Sequence, residues 1–164
     1  MAQVYVSIGS NIERERNIEY ALRSLTEAYG ELQQSPVYES AAVGFDSAPF
    51  YNLVVGFQTD ASPQAVQQTL HHIEDNQGRQ RAEDLAARTL DLDLLLYDDL
   101  VIRSGKLVLP RDDIHRYAFV LGPLAEIAGE RRHPVSGMRY ADMWSAFDDT
   151  GQALQQVDWP PAGR

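Results

Sequence analysis

The strongest constraint on this chain is the order in which its hydrophobic period changes. Val4, Val6 and Ile8 alternate with Tyr5 and Ser7, the period-two signature of a strand. Gly9-Ser10-Asn11 makes a turn, and Ser10 with Glu13 has capping-box spacing, so Ser10 reads as a helix cap. Ile18, Ala21, Leu22 and Leu25 then recur at helical spacing up to Gly30. Leu32 to Glu39 reads as a second strand, pushed toward a sheet edge or an irregular segment by Pro36. After a loop over 40–50, Asn52 to Thr59 reads as a third. Ser62-Pro63 opens a second helix, with Val66, Leu70 and Ile73 on one face and Gly78 at its end. Residues 79–87 are polar and read as a mobile loop, and Leu90 to Tyr97 is the next strand. The order strand, helix, strand, strand, helix, strand is that of the ferredoxin-like split βαβ arrangement. It predicts an α+β fold: a βαββαβ core whose antiparallel sheet carries helices on one face.

Beyond that core, residues 100–102 and 107–109 are expected to pair as a hairpin around Ser104-Gly105. Helical patterns follow over 119–128 and 139–147. The expected division is a single domain over 1–150 and a loose tail over 151–164. At 164 residues and 44% hydrophobic composition, the chain has room for one sizeable core and not for two. It has no cysteine, which excludes disulfides and thiolate metal sites. A net charge of −10 disfavours general binding to nucleic acid or anionic membrane. The first residues read straight into a strand, without a signal-peptide pattern, and no apolar run is long enough to span a bilayer. The expectation is a soluble cytoplasmic protein.

The basic residues are unevenly placed. Arg79, Arg81, Arg88, Arg103, Arg111 and Arg116 share one stretch with Lys106, the only lysine. Arginine presents a planar fork that matches phosphate oxygens. Taken alone, the stretch reads equally well as solvated surface arginines. Within it lies Arg88-Thr89-Leu90-Asp91-Leu92-Asp93. On a strand, Leu90, Leu92 and Leu94 face one way and Asp91 and Asp93 the other, roughly 6–7 Å apart. Two carboxylates so spaced can bracket hard cations such as Mg²⁺, which complete their shells with water and substrate phosphates. Alternation alone reads more simply as two solvated aspartates on an exposed face.

Standard nucleotide loops are absent: Gly105-Lys106 is followed by Leu107, and no glycine-rich phosphate loop precedes it. His71 and His72 lie on the second helix without a metalloprotease pattern. His115 and His133 read as surface or structural histidines. No serine has the surroundings of a hydrolase nucleophile. Phe50, Tyr51 and Phe119 lie near loops, where aromatic side chains suit a planar ligand, although core packing explains any one of them. Asn52, at a strand start beside aromatics, offers a donor and an acceptor to a heterocycle edge.

These segments resemble the 6-hydroxymethyl-7,8-dihydropterin pyrophosphokinase family. The resemblance runs over about residues 3–134. It rests on Val6-Ser7-Ile8-Gly9-Ser10-Asn11, Phe50-Tyr51-Asn52, Ile73-Glu74 with Gly78-Arg79, the highly specific Arg88-Thr89-Leu90-Asp91-Leu92-Asp93, Leu109-Pro110 and Phe119-Val120-Leu121-Gly122-Pro123-Leu124. It implies transfer of diphosphate from ATP to the hydroxymethyl group of a pterin alcohol in folate biosynthesis, with release of AMP; a monomer is the expectation for the chain. It also implies Asp91 and Asp93 as ligands of two Mg²⁺ ions, and Arg79 and Arg88 as catalytic phosphate contacts. Glu74 and Arg81 fall on the nucleotide side. Phe50 and Phe119 sandwich the pterin, Asn52 reads its edge, and Ser40 and Val43 lie in its pocket loop. Three places depart from the family pattern. The 81–87 loop is one residue shorter, with Leu85 for an aromatic. Arg111 replaces a histidine and Tyr117 an arginine, so that Arg111 and Arg116 are the candidates to restore the phosphate contacts. Ala41-Ala42 stands where prolines are common. These departures leave two alternatives open, a different pterin acceptor and a non-catalytic pterin- or nucleotide-binding module.

Overall fold

The computed structural model describes residues 1–41, 49–79 and 90–161. Alternation in the first segment forms β1 (Ala2–Ser10), with Val4, Val6 and Ile8 buried on one side. Helix α1 (Arg14–Tyr29) lays Ile18, Ala21 and Leu25 against that side. It stops at Gly30, whose φ of 83° is open to glycine, and the Gly30 N–H donates to the Thr26 carbonyl at 2.8 Å. The second strand pattern divides into β2 (Gln33–Gln34) and β3 (Val37–Ser40). The break falls at Ser35-Pro36, where proline has no N–H to give. Ser35 bridges it instead, exchanging hydrogen bonds with the Val54 backbone. Next come β4 (Phe50–Thr59), α2 (Pro63–Arg79) and β5 (Asp91–Tyr97). The Ser62 Oγ accepts from the Ala65 N–H at 3.1 Å, so the Ser-Pro start of α2 works as its sequence predicts.

Strands β6 (Ile102–Ser104) and β7 (Leu107–Leu109) pair antiparallel. Helices α3 (Asp113–Arg116), α4 (Ala118–Ala128) and α5 (Tyr140–Ser145) and strand β8 (Leu154–Val157) complete the chain. The main sheet has the order β5-β1-β4-β3-β8, with β2 also on β4, and its pairings are antiparallel. Among the described residues, no helix is long and apolar enough to cross a membrane.

Three expectations need correcting. The sheet carries helices on both faces, not one. Val4, Val6, Ile8, Leu53, Val55, Leu92 and Leu94 pack toward α1 and α2. Tyr5, Val54, Leu95 and Leu96 pack toward α3, α4 and α5. The signal was the loss of alternation in Leu53-Val54-Val55 and Leu94-Leu95-Leu96, because a strand buried on both faces has no polar face to alternate with. Residues 154–157 are not a loose tail: β8 pairs with β3, and Trp159 packs against the α1–α2 side of the core. Ser10 does not cap α1. Glu13 holds the cap position, with a left-handed φ of 42° and no side-chain cap bond. Ser10 Oγ instead donates to the Ile12 carbonyl and accepts from the buried Asn17 amide, tying the turn to the helix it precedes.

His133 carries the clearest pH dependence of stability. It is buried, and its Nδ1 accepts from the Val135 and Ser136 N–H groups, both at 3.2 Å. The ring proton therefore belongs on Nε2, which lies 3.2 Å from His115 Nε2. Burial pushes the His133 pKa below 6.5; His115 and Arg103 reinforce the shift and Asp112 opposes it. In the unfolded chain the ring protonates near pH 6.5. A depressed folded value favours the neutral ring, so this contribution is complete above about pH 6.5 and is lost as pH falls through the folded value. Each unit of difference is worth about 1.4 kcal/mol. Urea midpoints measured between pH 7.5 and 5 should decline toward acid. His133→Asn keeps an acceptor near the Nδ1 position and should flatten that decline.

Candidate active site

The sheet face that carries α4 is apolar at one end and polar at the other. Along β1 its residues shrink from Tyr5 through Ser7 to Gly9. Tyr5 lies in the core under the helices. Ser7 stands opposite Val54 on β4 and Asp93 on β5, and Gly9 stands opposite Asn52 and Asp91. Directly paired residues share a face. A row of Asn52, Gly9 and Asp91 therefore crosses three strands, and its middle member has no side chain. The space left above it is a cavity of about 270 Å³ whose lining includes Ser40, Phe50, Asn52, Asp91, Asp93 and Phe119.

One end of the cavity is aromatic and amide-lined. Asn52 and Ser40 are both buried, and the Asn52 Nδ2 donates to Ser40 Oγ at 2.7 Å. That bond fixes the amide plane. A Cβ at position 9 would lie 2.9 Å from Asn52 Oδ1, so glycine there makes room for the amide. Phe50 and Phe119 line the cavity, each half-buried. Tyr117 also lines it and stacks on Phe119, with ring centroids 4.9 Å apart and an interplanar angle of 18°.

The other end is acidic. Asp91 and Asp93 project from β5 into the cavity, while Leu92 between them points into the core. The Leu92 N–H donates to Glu74 Oε2 at 2.8 Å, so Glu74 on α2 braces the strand between the two aspartates. Arg111 places its Nη2 3.5 Å from Asp93 Oδ1, and its Nε donates to Asp113 Oδ2 at 3.1 Å. Burial works against the Arg111 charge, but Asp93, Asp113 and Asp112 outweigh it and raise the pKa, so the guanidinium stays charged. Among the described residues no three His, Asp or Glu side chains converge as a metal site. The paired oxygen donors of Asp91 and Asp93 nonetheless fit a hard cation such as Mg²⁺, which draws its remaining ligands from water and phosphate.

Thus Ser40, Phe50, Asn52, Asp91, Asp93 and Phe119 come together around one space, and Glu74 and Arg111 adjoin its acidic end. Arg116 does not join them: it is exposed and is not part of the cavity lining. Arg79 ends α2. Its side chain, and Val43, Arg81 and Arg88 entirely, lie outside the described residues. So does most of the 79–87 loop. Sequence reasoning passed over Ser7, Gly9, Asp113 and Tyr117 as lining residues. For Ser7 and Gly9 a signal existed, since both alternate with the apolar residues of β1. Asp113 and Tyr117 reach the cavity only through the turn of α3 into α4, which no local pattern encodes.

The sequence model of the family described as 7,8-dihydro-6-hydroxymethylpterin-pyrophosphokinase (HPPK) matches residues 5–129. The chain is 34% identical over 134 residues to the 2-amino-4-hydroxy-6-hydroxymethyldihydropteridine pyrophosphokinase of Haemophilus influenzae, covering 79% of this chain and 84% of that one. It is also 34% identical over 149 residues to the folic acid synthesis protein fol1 of Pneumocystis carinii, covering 89% of this chain but 20% of that longer one. In three dimensions it is similar to a Plasmodium falciparum HPPK-DHPS solved with pterin and p-hydroxybenzoate. The TM-score is 0.71 at 15% identity, over 88% of this chain and 42% of that chain, a likeness of fold alone. The matched span runs from Tyr5 in β1 to Gly129 at the end of α4 and includes both cavity aspartates, and the chain belongs to the 7,8-dihydro-6-hydroxymethylpterin-pyrophosphokinase family.

Proposed function

We propose that this chain carries the activity its family is named for: transfer of diphosphate from ATP to the hydroxymethyl group of 6-hydroxymethyl-7,8-dihydropterin, with release of AMP. The observation that carries the proposal is the single cavity with a buried, orientation-locked amide at one end and a carboxylate pair at the other. On this reading the core is ferredoxin-like, extended by the β6–β7 hairpin and the C-terminal helices, and the chain acts as a monomer.

The pterin lies between Phe50 and Phe119. The Asn52 Oδ1 accepts from the pterin edge, and with one Nδ2 N–H given to Ser40 the second remains to donate to it. Holding the ring this way aims the hydroxymethyl oxygen toward the acidic end. That oxygen forms a bond to the β-phosphorus of ATP as the bond from the β-phosphorus to the α-phosphate oxygen breaks. AMP leaves, and the hydroxyl proton passes to solvent. Asp91 and Asp93 would hold the two Mg²⁺ ions, which would offset phosphate charge and polarise the transferring group. Glu74 keeps β5 in register beneath them. Arg79, Arg81, Arg88 and Arg111 supply positive charge to the phosphates. Alignment of the reactants and fixed charge account for most of the acceleration expected of such a site.

A second reading, the same chemistry on a different pterin alcohol, is favoured by Asp113 and Tyr117, which add an acid and a ring to the cavity rim. Incubation with ATP, Mg²⁺ and a panel of pterin alcohols decides between them. The expected result is AMP and pterin diphosphate in equal amounts, fastest with 6-hydroxymethyl-7,8-dihydropterin. Preference for another alcohol supports the second reading, and no AMP with any alcohol from folded protein overturns both.

A further inference from the structure

We propose that Arg111 is an exchangeable counter-ion: it neutralises Asp93 in the protein alone, and leaves Asp93 for the nucleotide phosphates when a divalent cation binds there. The proposal rests on the reading of Asp93 as a metal ligand and of the cavity as the nucleotide site.

Three observations support it. The Arg111 backbone is anchored, because its N–H donates to the Leu95 carbonyl of β5 at 3.0 Å. The base of the guanidinium is tethered, because Nε donates to Asp113 Oδ2 at 3.1 Å. The head is held more loosely, because Nη2 stands 3.5 Å from Asp93 Oδ1, an ion pair longer than a good hydrogen bond. The strong tether and the weak contact lie on different nitrogens of one planar group. The head can therefore leave Asp93 without the side chain losing Asp113. A guanidinium carries five N–H donors, so with Nε committed it still has four to offer phosphate oxygens.

The energetics follow from charge. A divalent cation on Asp93 repels a guanidinium at this distance, so metal binding costs the Arg111–Asp93 contact. Phosphate beside the metal restores a partner to Arg111. Metal and nucleotide therefore help each other bind, and the coupling is reciprocal. Both partners are half-exposed, so the contact is worth about a three- to tenfold change in affinity.

The test is direct binding of Mn²⁺, followed by loss of its solution electron-spin signal, with and without a non-hydrolysable ATP analogue. Arg111→Met keeps the apolar stem and removes the charge. Without nucleotide it should bind Mn²⁺ about three- to tenfold more tightly than the parent, and its enhancement by nucleotide should shrink by a similar factor. Arg111→Gln should behave the same way and serves if the methionine variant does not fold. Arg103→Met removes a charge that pairs with Asp112 outside the cavity lining, and should change neither quantity by as much as twofold. Unchanged or weaker Mn²⁺ binding in both Arg111 variants overturns the exchange, as does tighter binding with an undiminished nucleotide enhancement. Asp93→Asn isolates the underlying assignment: it should weaken Mn²⁺ binding severely, and if it does not, the metal reading itself fails.

Discussion

Replacing Asp91 and Asp93 together by asparagine is expected to lower AMP release from ATP and the pterin by roughly three to four orders of magnitude, about 4–5.5 kcal/mol of transition-state stabilisation. Asparagine keeps the shape of each side chain and removes its charge. Both positions are half-exposed on a cavity wall rather than in the core, so the β5 ladder and the Leu92–Glu74 bond remain. Thermal stability should change little, since relieving two neighbouring negative charges offsets the lost contact with Arg111. A steady-state assay over a range of Mg²⁺ separates the outcomes. If a large excess of Mg²⁺ restores full activity, the aspartates only raise metal affinity. If activity is unchanged at all concentrations, the carboxylate pair is not the phosphate-side site.

The second large effect is expected at Gly9. A Cβ there lies 2.9 Å from Asn52 Oδ1 and 3.7 Å from Phe50 Cδ2, and Gly9 is paired on its two sides with Asn52 and Asp91. Gly9→Val suits the strand backbone, but its methyl groups enter the cavity and push the Asn52 amide away from Ser40. Displacement of a positioning group by about 1 Å costs on the order of a hundredfold in rate. The loss should appear mainly in kcat/KM for the pterin, with the KM for ATP changed much less. Overpacking should cost about 1–3 kcal/mol of stability, readable as a lower urea midpoint. Equal damage to both substrates would place Gly9 in the fold's support rather than at the acceptor end. Gly9→Ala should fall between the parent and the valine variant.

The sequence by itself determined the elements and much of the wall. Val4, Val6 and Ile8 predicted β1, Ser62-Pro63 predicted the start of α2, and the alternation of Leu90, Leu92 and Leu94 with Asp91 and Asp93 predicted an acidic face on β5. These signals are local, because side-chain direction repeats every two residues on a strand and every 3.6 on a helix. The resemblance of the Arg88–Asp93 segment added a chemistry that alternation alone did not favour. The tertiary structure decided which faces meet. It set helices on both sides of the sheet and drew residues 154–157 into an edge strand. It turned Ser10 from a cap into a turn anchor and left Arg116 out of the cavity lining. It also put Gly9 between Asn52 and Asp91, tied Arg111 to both Asp93 and Asp113, and carried Tyr117 onto Phe119. Apart from the lost alternation in Leu53-Val54-Val55 and Leu94-Leu95-Leu96, which marks a strand covered on both faces, these features cannot be read along the chain, because they depend on the register of strands and the docking of α3 and α4. Those are settled by burying apolar surface across segments far apart in sequence.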